Sequence, residues 1–163
     1  MSPKGTCTGS ANGLICVVVS NAIETLALDM QQRHHRLTIR SPRRGRLGAS
    51  DPCRLEQVFL NLLTNASKYT DAGGELGVWM HAVHDEALVC VRDSGIGMAA
   101  DVQPHIFDLF NQADRSDARS KAGLGIGLTV VRDLVHLHGG IITAASAGLG
   151  QGSEFTVLMH TKH

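Results

Sequence analysis

The chain predicts an α+β fold, a two-layer α/β sandwich in which one mixed sheet is covered by helices on one face. Three observations predict it. Segments with apolar residues at helical spacing are interleaved with short segments of strand-like alternation, in the order helix, strands, helix, hairpin, loop, helix, hairpin. The strand-like segments fall in neighbouring pairs around compact turns. The size and composition, 163 residues with 43% apolar and 18% charged, suit one globular domain with one core.

Residues 1–13 are small, polar and Gly-rich and read as a disordered lead before a domain over residues 14–163. Ile15–Arg33 carries Val19, Ile23, Leu26 and Met30 at helical spacing. Leu37–Ile39 is β-like, and Leu47–Ala49 is a candidate second short strand. Asp51-Pro52 opens a helix running to about Tyr69, with Asp as the cap and Pro at the first helical position. Leu76, Val78 and Met80 alternate with Gly77, Trp79 and His81, and a turn at His84–Glu86 leads into a second strand, Ala87–Arg92. Residues 99–122 are polar and irregular around a short amphipathic piece, Ile106–Phe110. Gly123–Gly127 opens a helix with Leu128, Val131, Leu134 and Val135 on one face, and Gly139-Gly140 ends it. Ile141–Ala145 and Glu154–Met159 form a closing strand pair. There is no internal repeat.

Composition excludes several function classes. Fifteen basic and fifteen acidic residues leave no net charge, so nothing overall favours nucleic acid or an anionic membrane. The basic run Arg40–Arg46 reads as a solvated loop. The four cysteines, at 7, 16, 53 and 90, lack CxxC or metal-finger spacing and read as free thiols in a reducing compartment. The apolar run Leu14–Val19 is too short for a membrane span. The nine histidines include no i, i+4 ligand pair.

The eighteen glycines cluster at 95–97, 123–127, 139–140 and 148–152, which marks backbone that turns tightly or approaches something closely. The 52–69 helix has an apolar stripe of Leu55, Val58, Leu62 and Ala66, and a polar stripe of Gln57, Asn61, Asn65 and Lys68. A solvated helix face would present a polar stripe too. Two amides one turn apart are nonetheless a poor choice for a mere surface, because Asn is a middling helix former. An amide oxygen is a hard, neutral ligand for Mg²⁺, and Lys68 one turn on would meet a phosphate. Asp93-Ser-Gly-Ile-Gly97 puts a carboxylate at a strand end, suited to accept from the adenine N6 amino group; the same residues also form ordinary turns. Gly123-Leu-Gly-Ile-Gly127 precedes a helix, where backbone N–H groups and the helix dipole suit phosphate. It is neither a Walker A loop nor a dinucleotide fingerprint, since no Gly-Lys-Ser/Thr follows and no strand precedes.

Taken together and in this order, these segments resemble the catalytic ATP-binding domain of sensor histidine kinases. That domain belongs to the GHKL superfamily, shared with type II topoisomerases, mismatch-repair ATPases and a chaperone family. Leu55–Thr70 resembles the N box, Asp93–Gly97 the G1 box, Ile106–Phe110 the F box and Gly123–Arg132 the G2 box. Gly148–Phe155 resembles the last Gly-rich box. The resemblance spans residues 15–160 and implies the Bergerat ATP-binding fold with ATP and Mg²⁺ bound. It implies that Asn65 ligates Mg²⁺, Lys68 contacts a phosphate, Tyr69 packs near the adenine and Asp93 binds adenine N6. Gly95, Ile96 and Gly97 would bring backbone close to the base. Gly123, Leu124, Gly125, Ile126, Gly127 and Leu128 would hold phosphates, with Ser153 also at the nucleotide. Residues 98–122 would be a mobile lid, anchored by Phe107 and Phe110, from which Arg119 or Lys121 reaches the γ-phosphate.

The position of Asn61 separates the kinases from their hydrolytic relatives, whose matching residue is a water-activating Glu; Asn cannot take a proton. The resemblance therefore implies transfer of the γ-phosphoryl group to a histidine, with Asn61, Asn65 and Lys68 as the catalytic set. The G2 box departs from the frequent Gly-Gly-Thr start, reading Ala122-Gly123-Leu124, and looks like that of hybrid kinases. No segment resembles the phosphoacceptor hairpin. The implied partners are thus a separate phosphoacceptor and dimerisation domain and a response-regulator receiver domain. The domain alone would be a cytoplasmic monomer, free of nucleic acid and of direct membrane contact, and the resemblance is compatible with a membrane-anchored whole protein.

Overall fold

The structure, a computed structural model, describes residues 13–40, 52–83, 86–108 and 126–160. The expected lead up to residue 12, the 47–49 strand, the Asp51 cap and the 84–85 turn lie outside the described residues, as do most of the basic run and of the lid.

Helix α1 spans Gly13–Gln32, starting two residues before the expected Ile15. Its end is a tight cap: the His35 N–H donates to the Met30 carbonyl at 2.9 Å and the His34 N–H to the Gln31 carbonyl at 3.0 Å. His34 sits at φ 57, a left-handed position usually given to Gly or Asn. Strand β1 follows (Arg36–Arg40), then α2 (Pro52–Lys68), with Pro at its first position as the sequence predicts. Strands β2 (Glu75–Val83) and β3 (Glu86–Asp93) form an antiparallel hairpin. A 3-10 turn at Gln103–His105 precedes α3 (Ile126–Leu137), and β4 (Ile141–Ala145) and β5 (Ser153–His160) close the chain.

The five strands form one sheet in the order β1-β2-β3-β5-β4. Only the β1–β2 pair is parallel, so the sheet is mixed. Alternation assigns its two faces. Leu76, Val78 and Met80 of β2, Ala87, Val89 and Val91 of β3, and Phe155, Val157 and Met159 of β5 all point into the core. There they meet Leu55, Val58, Phe59, Leu62 and Leu63 of α2, which lies between α1 and α3. Each such fully buried large side chain stabilises the fold by roughly 1.5–3 kcal/mol. The other face carries a smaller cluster. Arg92 stacks over the Trp79 ring at 5.2 Å and pairs with Glu154, its cross-strand neighbour. Beside them Cys90 is a free thiol, pushed up to about 11 by burial and by the Glu154 charge, and so unreactive.

Candidate functional site

The strand β3 ends at Asp93 because the chain turns there, through Ser94–Gly97, back toward α2. Asp93 occupies an inward position of the alternation and is only 7% exposed. Its Oδ1 accepts the Gly95 N–H at 2.8 Å, and the Ser153 N–H across the β3–β5 ladder also donates to the carboxyl. Burial raises this carboxyl to about 6, against the two backbone donors, which pull it the other way. A carboxylate kept at that cost in a core position is a functional-site signal.

The turn is locked to both neighbours through backbone. The Tyr69 carbonyl, just past the end of α2, accepts the Ile96 N–H at 3.1 Å. A Cβ on Gly95 would lie 2.2 Å from that same oxygen, and a Cβ on Gly97, at φ 71, would lie 2.1 Å from the Gly148 carbonyl. These two positions exclude a side chain because other backbone already fills the space. On the far side, the Gly150 N–H donates to Ile96 at 2.7 Å and the Gly152 N–H to Gly95 at 3.1 Å.

This packing brings the end of α2 beside the Asp93 turn. The Tyr69 N–H donates to the Asn65 carbonyl at 3.0 Å, so two successive hydrogen bonds connect Asn65, through Tyr69, to Ile96 in the Asp93 turn. Asn65 and Asp93 therefore belong to one end of the molecule. Asn61 is one turn earlier on the same stripe, and Asn61, Asn65, Lys68 and Tyr69 are all half-buried, whereas Gln57 is exposed. The Lys68 ammonium lies 5.4 Å from the Tyr69 ring centre, and burial pulls its pKa down. Thr70 Oγ1, on the residue after Tyr69, is buried without a hydrogen-bond partner among the described residues.

The phosphate side is described in part. The described part of helix α3 opens at Ile126, which places Ile126, Gly127 and Leu128 directly after the Gly-rich segment. The Leu128 side chain is buried, which leaves only its backbone for a ligand. Gly127 has open space where a Cβ would stand. Arg119, Lys121, Gly123, Leu124, Gly125 and Phe110 lie outside the described residues. The start of the expected lid is anchored to the core: Phe107 packs edge-on against Phe155, with ring centres 6.1 Å apart, and its carbonyl accepts the Thr129 hydroxyl at 2.8 Å.

Sequence reasoning missed Ser146 and Gln103. The Ser146 hydroxyl accepts the Met98 N–H at 3.0 Å and donates to the Gly152 carbonyl at 2.6 Å, so it ties the Asp93 turn to the last Gly-rich loop. The Gln103 amide holds the Ser146 backbone from both sides, at 2.9 and 3.3 Å. No motif marks either residue; a Ser just beyond a strand end was the only sign.

Comparison with known proteins gives the family. Residues 50–163 match the family of histidine kinase-, DNA gyrase B- and HSP90-like ATPases. The chain belongs to that family. It is 44% identical over 110 residues to the circadian input-output histidine kinase CikA of Synechococcus elongatus, covering 66% of this chain and 14% of that one. It is 30% identical over 176 residues to hybrid signal transduction histidine kinase D of Dictyostelium discoideum, covering 88% and 11%. The chain thus spans a small part of these curated relatives. Among solved structures, histidine kinase ThkA in complex with the response regulator protein TrrA shares the fold, with a TM-score of 0.74 at 18% identity, over 90% of this chain and 40% of that one. The five-stranded mixed sheet with its helices is the α+β ATPase fold of histidine kinase catalytic domains.

Proposed function

We propose that this domain binds Mg-ATP and donates the γ-phosphoryl group to a histidine on a separate phosphoacceptor and dimerisation domain, from which a receiver domain then takes it. The observation that carries the reading is the buried Asp93 carboxyl, joined through Tyr69 to the amide-bearing stripe of α2. A carboxylate there accepts from the adenine N6 amino group and meets the guanine carbonyl with repulsion, so it selects ATP over GTP. The Ile96 and Gly97 backbone would face the base, Tyr69 would pack near it, and Ser153 would hold the Asp93 carboxyl.

The phosphate tail would run toward Lys68 and the N–H groups opening α3, where the helix dipole favours negative charge. The donor chemistry fits Mg²⁺. Asn65 offers one hard amide oxygen, and no group of three or more His, Cys, Asp or Glu among the described residues competes as a metal cage. Asn65 would hold the ion together with phosphate oxygens and water; when bound, the ion supplies charge neutralisation to the tail. Arg119 or Lys121 would approach the γ-phosphate. Asn61 has no proton-accepting group, which spares the γ-phosphate from activated water and leaves it for an imidazole nucleophile. Among the described residues no helix is long and apolar enough to cross a membrane, and we place the domain in the cytoplasm as a monomer.

The test is direct. In calorimetry the domain should bind Mg-ATP and not Mg-GTP. With γ-labelled ATP and a histidine-bearing phosphoacceptor hairpin supplied in trans, label should pass to the hairpin. Steady ATP hydrolysis by the domain alone, abolished by Asn61→Ala, would sink the transferase reading in favour of a hydrolytic one.

A further inference from the structure

Three polar side chains meet behind the last turn of α2, outside the site itself. Ser67 is 1% exposed and donates its hydroxyl hydrogen to Asp29 Oδ2 of α1 at 2.9 Å. His35, from the turn between α1 and β1, places Nδ1 at 3.4 Å from the Ser67 oxygen and Nε2 at 3.1 Å from both the Thr70 and Asp71 carbonyls. Carbonyls only accept, so Nε2 carries a hydrogen and donates to that pair. Arg33 completes the group: its Nε pairs with Asp29 Oδ1 at 3.3 Å and its other arm reaches the Ser67 carbonyl at 3.4 Å. The backbone seals the join, with the Gly73 N–H donating to Arg33 at 3.0 Å and the Arg36 N–H to Gly74 at 2.9 Å.

The arrangement is not a hydrolytic triad, because the Ser67 hydroxyl is buried and points to the acid rather than the imidazole. What it grips is informative. Ser67 is next to Lys68 and two residues past Asn65, while Thr70 and Asp71 follow Tyr69, whose carbonyl holds the Asp93 turn. His35 and Arg33 thus fasten the chain on both sides of Tyr69. Arg33 also brings a donor to the Ser67 carbonyl in the last turn of α2, where the dipole favours it and where the helix's own last-turn cation, Lys68, is turned over the Tyr69 ring, while His35 holds the two carbonyls just past that helix. The left-handed His34 is the residue that turns the chain so that His35 arrives there.

We infer that His35, set against the Ser67–Asp29 pair, is a positioning residue for the phosphate end of the nucleotide site: it fixes the chain at the end of α2 so that Asn65 and Lys68 address the phosphate tail. This rests on the ATP reading above. It requires the chain's affinity for the phosphates, not for the base, to depend on His35.

The experiment compares Mg-ATP by calorimetry with adenosine by NMR titration, on the full chain and its variants. His35→Ala and Ser67→Ala should each weaken Mg-ATP about tenfold, as loss of a supporting hydrogen-bond partner does, and leave adenosine affinity unchanged. His35→Gln, which returns an N–H donor toward the two carbonyls, should recover most of the ATP affinity. General loosening of the fold would weaken both ligands together and would not be rescued, and that result overturns the proposal. So does an unchanged ATP-to-adenosine ratio in both alanine variants. Asp93→Asn run alongside separates the two failures: if it leaves ATP binding unaltered, or if the wild-type chain does not bind ATP, the ATP reading itself falls and takes the inference with it.

Discussion

At the end of β3 the Asp93 carboxyl is buried, receives two backbone N–H groups, and sits in a turn whose glycines touch backbone from two other segments. Across the site, Asn61, Asn65 and Lys68 stand half-buried on the open side of α2, a helix whose stability comes from its other stripe. On the proposed reading the purine end is therefore part of the core, and the phosphate end is a surface mounted on it. Changes at the first should move folding as well as binding. Changes at the second should move binding alone.

The largest effect is expected from Gly95→Ala. The new methyl would lie 2.2 Å from the Tyr69 carbonyl oxygen and 2.9 Å from Asp93 Oδ1, and the nearer atom is backbone that cannot swing aside. Separating the two segments strains or breaks the Ile96-to-Tyr69 and Gly95-to-Asp93 hydrogen bonds. Denaturant unfolding should show a loss of about 3 kcal/mol, near the upper range for overpacking, and nucleotide binding should fall with it. A variant as stable as the parent would show that the purine end is not built as tightly as described.

Next comes Asp93→Asn, where folding and binding should part in opposite directions. The folded carboxyl titrates at about 6, above the ordinary 3.8. The folded state therefore holds its proton to higher pH than the unfolded one. The sign follows: the unligated domain loses stability as pH rises from about 4 to 6, and above 6 the whole cost is present, about 3 kcal/mol from the size of the shift. Asn carries no charge at any of these pH values. Its melting curve should lack this decline, so that the difference from wild type grows from pH 4 to 7. Affinity for ATP should meanwhile drop roughly a hundredfold, the loss of a charged hydrogen-bond acceptor. Parallel pH–stability profiles for the two proteins would remove the desolvation account.

This contrast also explains what could be read before the structure. The core was legible because alternation in Ala87–Asp93 and the 3.6-residue period of Leu55–Ala66 are local, and burial follows them one residue at a time. Asp93 and the α2 amides were legible because each breaks a local rule, a charge at an inward strand position and amides on a helix face. The parallel pairing of β1 with β2, and the place of β5 between β3 and β4, have no such local trace. Nor has the Asp29–Ser67–His35 contact, which joins residues far apart in the chain through packing alone. Ser146 is the same kind of case: its hydroxyl matters only because Met98 and Gly152 arrive beside it. The lid residues expected to reach the γ-phosphate lie outside the described structure, and their roles rest on the proposal.

Asn65→Ala should have the smallest effect on the fold and the most selective effect on the ligand. Its side chain is half-buried, on the polar stripe that flanks Leu62 and Ala66, so its removal leaves no core cavity. Ala is the better helix former, so stability should stay within about 0.5 kcal/mol of wild type and lean upward. If the amide oxygen helps to hold the metal on the phosphate tail, the gain in ATP affinity on adding Mg²⁺ should shrink roughly tenfold, while binding of metal-free ATP stays nearly constant. Calorimetry with and without Mg²⁺ measures both terms in one protein. A loss that is equal in the two conditions would mean that Asn65 serves the base or the helix rather than the metal, and the division between a built purine end and an open phosphate end would have to be redrawn one helical turn further along α2.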